Sequence, residues 1–294
     1  MTKTVAIFNA NSAQAAPFVD EAIAQGLNVR AITRSSSSKS DTENVVHYTA
    51  DLLNKDQVVA ALTGIDAAFL HLPVPSDFSH PEIWLGNFIA AAHEISLPLL
   101  VFSTSGPAGD DFPKTPMIDG TTAAMNAIQS SGLNVITLQP TVYLENLFVP
   151  PFVPDLHSEG RLTYPPVPAT QKIAFVSHKD QATIGVAALQ RPDLAGQTFK
   201  IASPNAITGP DLAKALEEWT SKPVIFAPQS PDEFGAHIGK LFGNDAVGHG
   251  LAGLYKSIIG AGNSVAEIDV PALEKTFDVK LTSIENHISQ WPKQ

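Results

Sequence analysis

The chain contains no cysteine, so disulfides, thiolate zinc centres and cysteine nucleophiles are excluded. It is also short of positive charge. Lys plus Arg number 18 against 29 Asp plus Glu, a formal net charge of −11. The cations form no run, which speaks against backbone-dominated nucleic-acid binding. Long hydrophobic runs are missing as well: no stretch approaches the roughly 18 apolar residues of a membrane span. The start, Met1-Thr-Lys-Thr before Val5-Ala-Ile-Phe8, has too short an apolar run for a signal peptide. The expectation is a soluble, cytoplasmic protein that binds neither membrane nor nucleic acid.

What is present is ample for a core. The 294 residues are 44% hydrophobic and 16% charged, enough for about two domains or one α/β domain with an appended lobe. Apolar runs at 5–8, 28–33, 67–72, 99–102 and 135–138 read as strands. Helical spacing is found at 15–25, 57–62, 81–95 and 121–131, with Gly26, Gly64 and Gly132 where the first, second and fourth should end. Strands alternating with helices of this length predict βαβ units and a parallel sheet. Residues 147–171 are rich in proline and aromatics and read as a loop region lining or covering a site. Helices at 180–189 and 209–220, a strand at 198–201 and a glycine-broken helical stretch at 231–262 follow. The expectation is a Rossmann-like doubly wound sheet with a smaller C-terminal α/β lobe. The dinucleotide-binding domain would cover 1–146 and the substrate lobe 147–294, with some of the latter's elements returning to the main domain.

The first strand–turn–helix is where such a fold holds a pyrophosphate, on backbone N–H groups at a helix N-terminus. Here that turn reads Asn9-Ala-Asn-Ser-Ala-Gln-Ala15 and contains no glycine. Asn9 tolerates φ > 0 and still permits the turn. Ala15 is an accepted small residue for close packing. Ser12 puts a Cβ where bare backbone is wanted, although its hydroxyl can donate to a phosphate. An ordinary turn that binds no nucleotide is the alternative. After the second strand comes Arg34, followed by four serines, with no acid before Asp41. That favours a 2′-phosphate, hence NADP(H) over NAD.

At this point the chain resembles the NmrA-like branch of the atypical short-chain dehydrogenase/reductases. That family opens with a GATGxQG-like turn and then VRAxxR; here Gln14 is kept and Val29 to Arg34 follow. Its xxDLxDxxSLxxALxGxDAVF stretch is matched from Asp51 to Asp66. SGLxxTxLRPxxFxEN is matched by Ser131 to Leu133 and Thr137 to Asn146, FVxxxDxA by Phe175 to Ala182, and GxxxxxxxP by Gly196 to Pro204. The resemblance covers nearly the whole chain and implies an NADP(H) site in the crevice between two lobes. It places cofactor contacts at Asn9, Asn11, Ser12, Ala13, Gln14, Arg34, Ser35, Asp51, Leu72, Pro73, Ser103 and Thr121.

The wider superfamily moves its proton with a Tyr-x-x-x-Lys pair. The resemblance puts Met117 and Thr121 at those positions, and neither does that chemistry; Lys114 is off the spacing. Ser105, Tyr143 and His71 are the remaining catalytic candidates, and Thr104, Asn146, Phe148 and Tyr164 the substrate-lining ones. Core and loop packing is the competing reading for the aromatics and for His71. The Lys179-Asp180 pair reads as a helix cap and a solvated charge. His80, His93, His157 and His178 lack ligand spacing, so no metal is expected. Ser103-Thr-Ser105 is not a G-x-S-x-G elbow, which argues against a hydrolase. Three readings stay open. One is an oxidoreductase for a small apolar carbonyl, enone or quinone. Another is a non-catalytic NADP-sensing regulator with a protein partner. The last is an enzyme on this fold that uses no nicotinamide.

Overall fold

The computed structural model describes residues 2–36, 40–73 and 79–292. Seven strands make one sheet: β1 (Thr4–Phe8), β2 (Asn28–Thr33), β3 (Val45–Thr49), β4 (Ala67–His71), β5 (Leu100–Ser103), β6 (Val135–Pro140) and β7 (Thr198–Ile201). Their order is β7-β6-β5-β4-β1-β2-β3, and every neighbouring pair is parallel. The helices are α1 (Ala16–Ala24), α2 (Lys55–Leu62), α3 (His80–Glu94), α4 (Pro116–Gln129), α5 (His178–Ala188), α6 (Gly209–Thr220), α7 (Pro231–Phe242), α8 (Asp245–Ala261), α9 (Val270–Phe277) and α10 (Ile284–Ser289). This is the doubly wound α/β architecture that the alternating pattern predicts. Strand order reverses between β1 and β4, so a crevice opens at their C-terminal ends.

The strands are apolar on both faces because helices cover both. Val5, Ile7, Phe69, Val101 and Leu138 face Phe18 of α1 and Ile184 of α5. Ala6, Phe8, Leu70, Leu100 and Phe102 face Val58, Phe88 and Ile128 of α2, α3 and α4. The Phe18 and Phe69 rings stack at 3.7 Å between centroids. Gly185 on α5 is what lets that helix close on them, since a Cβ there would run into the Phe18 ring.

Elements from the second half return to this body: β7 pairs with β6, and α5 covers the sheet beside α1. The rest builds a second core from Leu147, Leu162, Tyr164, Leu212, Trp219, Phe234 and Tyr255. Three two-stranded bridges tie it together: Val142–Tyr143 with Phe175–Val176, Lys172–Ile173 with Ile207–Thr208, and Arg161–Leu162 with Ile225–Phe226. Three readings of the pattern need correction. β3 is an additional strand at the sheet edge. α4 starts at Pro116 rather than 121, because Thr115 caps it by accepting the Ile118 N–H. The 147–171 stretch is not plain loop; it holds 3₁₀ turns at Leu144–Phe148 and Pro150–Phe152 and a helical turn at Leu156–Glu159.

Candidate functional site

The β1–α1 turn closes without glycine because Asn9 takes φ +55°. Its Nδ2 donates to the His71 carbonyl at 2.8 Å, which pins the turn to the end of β4. The Ser12 hydroxyl lies 3.0 Å from His71 Nε2 and accepts the Ala15 N–H at 3.2 Å. His71 Nδ1 lies 3.2 Å from the Leu72 carbonyl, which only a protonated Nδ1 can satisfy. That assigns the tautomer: Nε2 accepts, and Ser12 donates to it. Burial pushes His71 down to about 4, with the Leu72 carbonyl opposing, so the ring is neutral at pH 7. The Ser12 proton is therefore engaged by a residue 59 positions away. The N–H groups of Asn11, Ala13 and Gln14 bond no described residue and line the opening of the turn.

Across the crevice lie the ends of β5 and β6. His71 and Ser103 are register neighbours there. Tyr143, just past β6, points its phenol at Gln181 Oε1 (2.8 Å) and Gln14 Oε1 (3.1 Å). One phenolic proton cannot serve both, and it goes to the nearer acceptor, Gln181. Burial raises the Tyr143 pKa far above the ordinary phenol, with the Ser103 hydroxyl opposing. The His178 ring sits 4.8 Å from the Tyr143 ring.

Behind them, Glu145 Oε1 accepts the His178 backbone N–H at 2.9 Å, and its Oε2 lies 3.7 Å from His178 Nδ1. Burial pushes Glu145 up to about 7 and His178 down to about 4. His178 is thus neutral at pH 7, while Glu145 gains and loses its proton around neutrality. Glu145 Oε2, Gln181 Nε2 and Ser105 Oγ are buried with no partner among the described residues. Ser105 also holds φ +60°, a position strained for a residue with a Cβ. Unsatisfied buried groups are expensive and cluster where a ligand or reaction needs them.

The other expected residues divide between crevice and core. Arg34 is exposed at the end of β2 and pairs with no described residue. Ser35 beside it lends its carbonyl to the Thr33 hydroxyl at 2.7 Å; Ser37 and Ser38 lie outside the described residues. Asp51 ends the loop after β3 and accepts the Leu53 N–H at 2.9 Å. Leu72 and Pro73 continue β4 at the rim. Thr104 donates to the Gly106 carbonyl at 2.6 Å, and Thr121 back-bonds to the Pro107 and Met117 carbonyls.

By contrast, Asn146 and Tyr164 are drawn into the second core. Asn146 Nδ2 donates to the Tyr164 hydroxyl at 2.8 Å, Tyr255 donates to it at 2.6 Å, and Tyr164 is fully buried. Phe148 packs on Trp219 and Trp291. Asp180 is not a solvated charge. It is buried, takes the Ser203 hydroxyl at 2.6 Å and meets His287 Nε2 at 2.9 Å; the cap is Ser177. An apolar cavity of about 40 Å³ near Pro107, Thr141 and Ile258 lies apart from this polar corner. It is an order of magnitude below a small-molecule pocket. Glu145 and Gln181 are not singled out by the sequence, and His178 is weighed there only as a metal ligand. Their signal was the pair of motifs ending Tyr-Leu-Glu-Asn146 and Ser-His-Lys-Asp-Gln181.

The chain belongs to the NmrA-like family, whose model matches residues 1–281. An NAD(P)H azoreductase from Xenophilus azovorans is 27% identical over 178 residues, spanning 60% of this chain and 59% of that protein's length. A nucleoside-diphosphate-sugar epimerase structure from Staphylococcus aureus superposes with TM-score 0.80 at 17% identity, covering 99% of this chain and 100% of that one. An NADPH-dependent quinone oxidoreductase from Escherichia coli, complexed with NADPH, gives 0.77 at 19%, covering 97% and 98%. At these identities the structural matches show a common fold.

Proposed function

We propose that the chain is an NADP(H)-dependent oxidoreductase that reduces a small apolar carbonyl, enone, quinone or azo compound. The observation that carries this reading is the β1–α1 turn. It reaches the left-handed conformation through Asn9 and leaves the Asn11, Ala13 and Gln14 N–H groups open at the start of a helix. Such a set, together with the positive end of the helix dipole, suits a pyrophosphate. The Ser12 side chain does not oppose it, because its hydroxyl is turned to His71. Arg34, exposed and unpaired among described residues, would take the 2′-phosphate. Ser35, Asp51, Leu72, Pro73, Ser103 and Thr121 would make the rest of the cofactor wall. Once held there, the reduced nicotinamide supplies a hydride. The buried, neutral rings of His71, Tyr143 and His178 keep the neighbouring space poor in water. The relatives' printed activities, azo and quinone reduction, agree with this substrate range.

The direct test is oxidation of NADPH by the purified protein in the presence of a panel of quinones, enones and azo dyes. Turnover with at least one class is expected; tight NADPH binding without turnover on any would contradict the oxidoreductase. That second outcome would favour a cofactor-sensing regulator with a protein partner. The observation behind that alternative is the absence of the Tyr/Lys pair on α4, where Met117 and Thr121 stand and Thr121 spends its proton on backbone carbonyls.

A further inference from the structure

We propose that Glu145 and His178 form the proton-delivering pair of this site: His178 hands the proton to the substrate, and Glu145 replaces it. The inference rests on the oxidoreductase reading and names the chain's own acid.

The other candidates are engaged. His71 spends Nδ1–H on Leu72 and accepts from Ser12 on Nε2. The Tyr143 phenol donates to Gln181, and its proton is held tightly by burial. Glu145 is different. One carboxyl oxygen receives the His178 N–H, and the other is buried without a donor. A buried carboxylate with a bare oxygen is costly, whereas a carboxylic acid with its proton on Oε2 is not. That oxygen faces His178 Nδ1 at 3.7 Å, so a closure of about 0.5–1 Å makes a hydrogen bond. The backbone bond from His178 to Oε1 already fixes the pair. With Nδ1 as acceptor, the neutral ring carries its proton on Nε2. That atom bonds no described residue, and the side chain keeps 12% of its surface exposed.

The electrons and protons balance. The acceptor carbonyl gains the hydride pair from the reduced nicotinamide dinucleotide, which is oxidised, and its π pair moves to oxygen. That oxygen takes the Nε2 proton; Nδ1 takes the proton of Glu145. Nδ1 then returns its proton to the Glu145 carboxylate and Nε2 takes one from solvent water, which restores the starting tautomer. The groups facing Glu145 are Tyr143 on its own segment, His178 and Asp180 from α5, and His287 from α10; His71 of β4 acts on it through His178. Burial and Asp180 raise its pKa, while the His178 N–H and His287 lower it.

The test compares the full-length protein with Glu145→Gln and His178→Gln. NADPH binding is followed by calorimetry, quinone turnover from pH 5 to 9, and the protonated-carboxyl band by infrared titration. In the wild type, kcat should fall as pH rises through about 7, together with the infrared band. Glu145→Gln should lower kcat about 100-fold and abolish both the pH step and the band, with NADPH affinity and KM unchanged. His178→Gln should lower kcat similarly yet keep the band, which guards against a folding defect in the first variant. Turnover that survives both variants with its pH step intact, or a wild type with no carboxyl titrating near 7, would overturn the pair while leaving the oxidoreductase. Failure of the wild type to bind NADPH would overturn the oxidoreductase reading and the pair with it.

Discussion

The two rims of the crevice obey opposite rules. On the β1–α1 rim the polar side chains that turn inward, Asn9 and Ser12, are satisfied. Asn9 bonds the His71 carbonyl, Ser12 bonds the His71 ring, and the ring bonds Leu72. Backbone N–H groups are left open. On the Tyr143 rim the side chains themselves are unsatisfied: Glu145 Oε2, Gln181 Nε2 and Ser105 Oγ are buried without partners among the described residues. The first rim is rigid and suits holding a ligand by its backbone. The second gives up stability, and such sites are where proteins place chemistry. The hydrogen bonds of a site therefore say as much as its residue types.

The strongest way to break this contrast is at Asn9. Asn9→Val places a β-branched residue at φ +55° and removes the bond to His71. Strain of 1–3 kcal/mol plus a lost hydrogen bond should lower unfolding stability by about 3 kcal/mol. Denaturant unfolding reads this, and a loss under 1 kcal/mol would mean the rim is not tied down as described.

The opposite rim should show its cost as a pH dependence. The folded pKa of Glu145 is raised from 4.5 to about 7. The acid form is thus favoured by folding. Its contribution is full below the unfolded pKa and is lost as pH rises through about 7. With part of the side chain still exposed, the loss should be about 2 kcal/mol rather than the full linkage value. The buried, neutral His71 and His178 stabilise both proteins as pH rises, so the decline is read from unfolding curves as the wild type's change between pH 4.5 and 8.5 relative to that of Glu145→Gln. Parallel curves would show that the carboxyl is not held out of water.

A smaller effect separates the His71 lock from the proposed phosphate site. Ser12→Gly removes the hydroxyl from His71 Nε2 and should cost about 1 kcal/mol of stability. NADPH affinity should not fall, because the open N–H groups remain. A large loss of affinity would make the Ser12 hydroxyl a phosphate ligand after all.

Much of the fold could be read from the chain because its central strands are continuous apolar runs, such as Val5 to Phe8 and Leu99 to Phe102. β3 was missed because it is an edge strand. His47 and Tyr48 interrupt the apolar run, and only Val45 is buried. The start of α4 was hidden by Gly120, although Thr115-Pro116 is a cap-and-proline start signal. Within the site, the left-handed Asn9 follows from local chemistry. Its partner His71 does not, since it lies 62 residues away. Glu145 and His178 meet only because the Val142–Tyr143 and Phe175–Val176 strands pair, a contact that no local pattern encodes. Tyr164 looked like a pocket residue for the same reason: its aromatic, proline-rich neighbourhood folds inward to bond Asn146 and Tyr255.

The proposed function requires that a turn without glycine still hold a 2′-phosphorylated dinucleotide. Calorimetric titration of NADPH and NADH into the wild type and Arg34→Ala tests it most directly. Arg34 is exposed and bonds no described residue, so its removal should leave stability within about 0.5 kcal/mol. NADPH should bind more tightly than NADH, and the variant should lose about tenfold for NADPH alone, as for one charged hydrogen bond. Equal weakening of both nucleotides, or no binding of either, would contradict it.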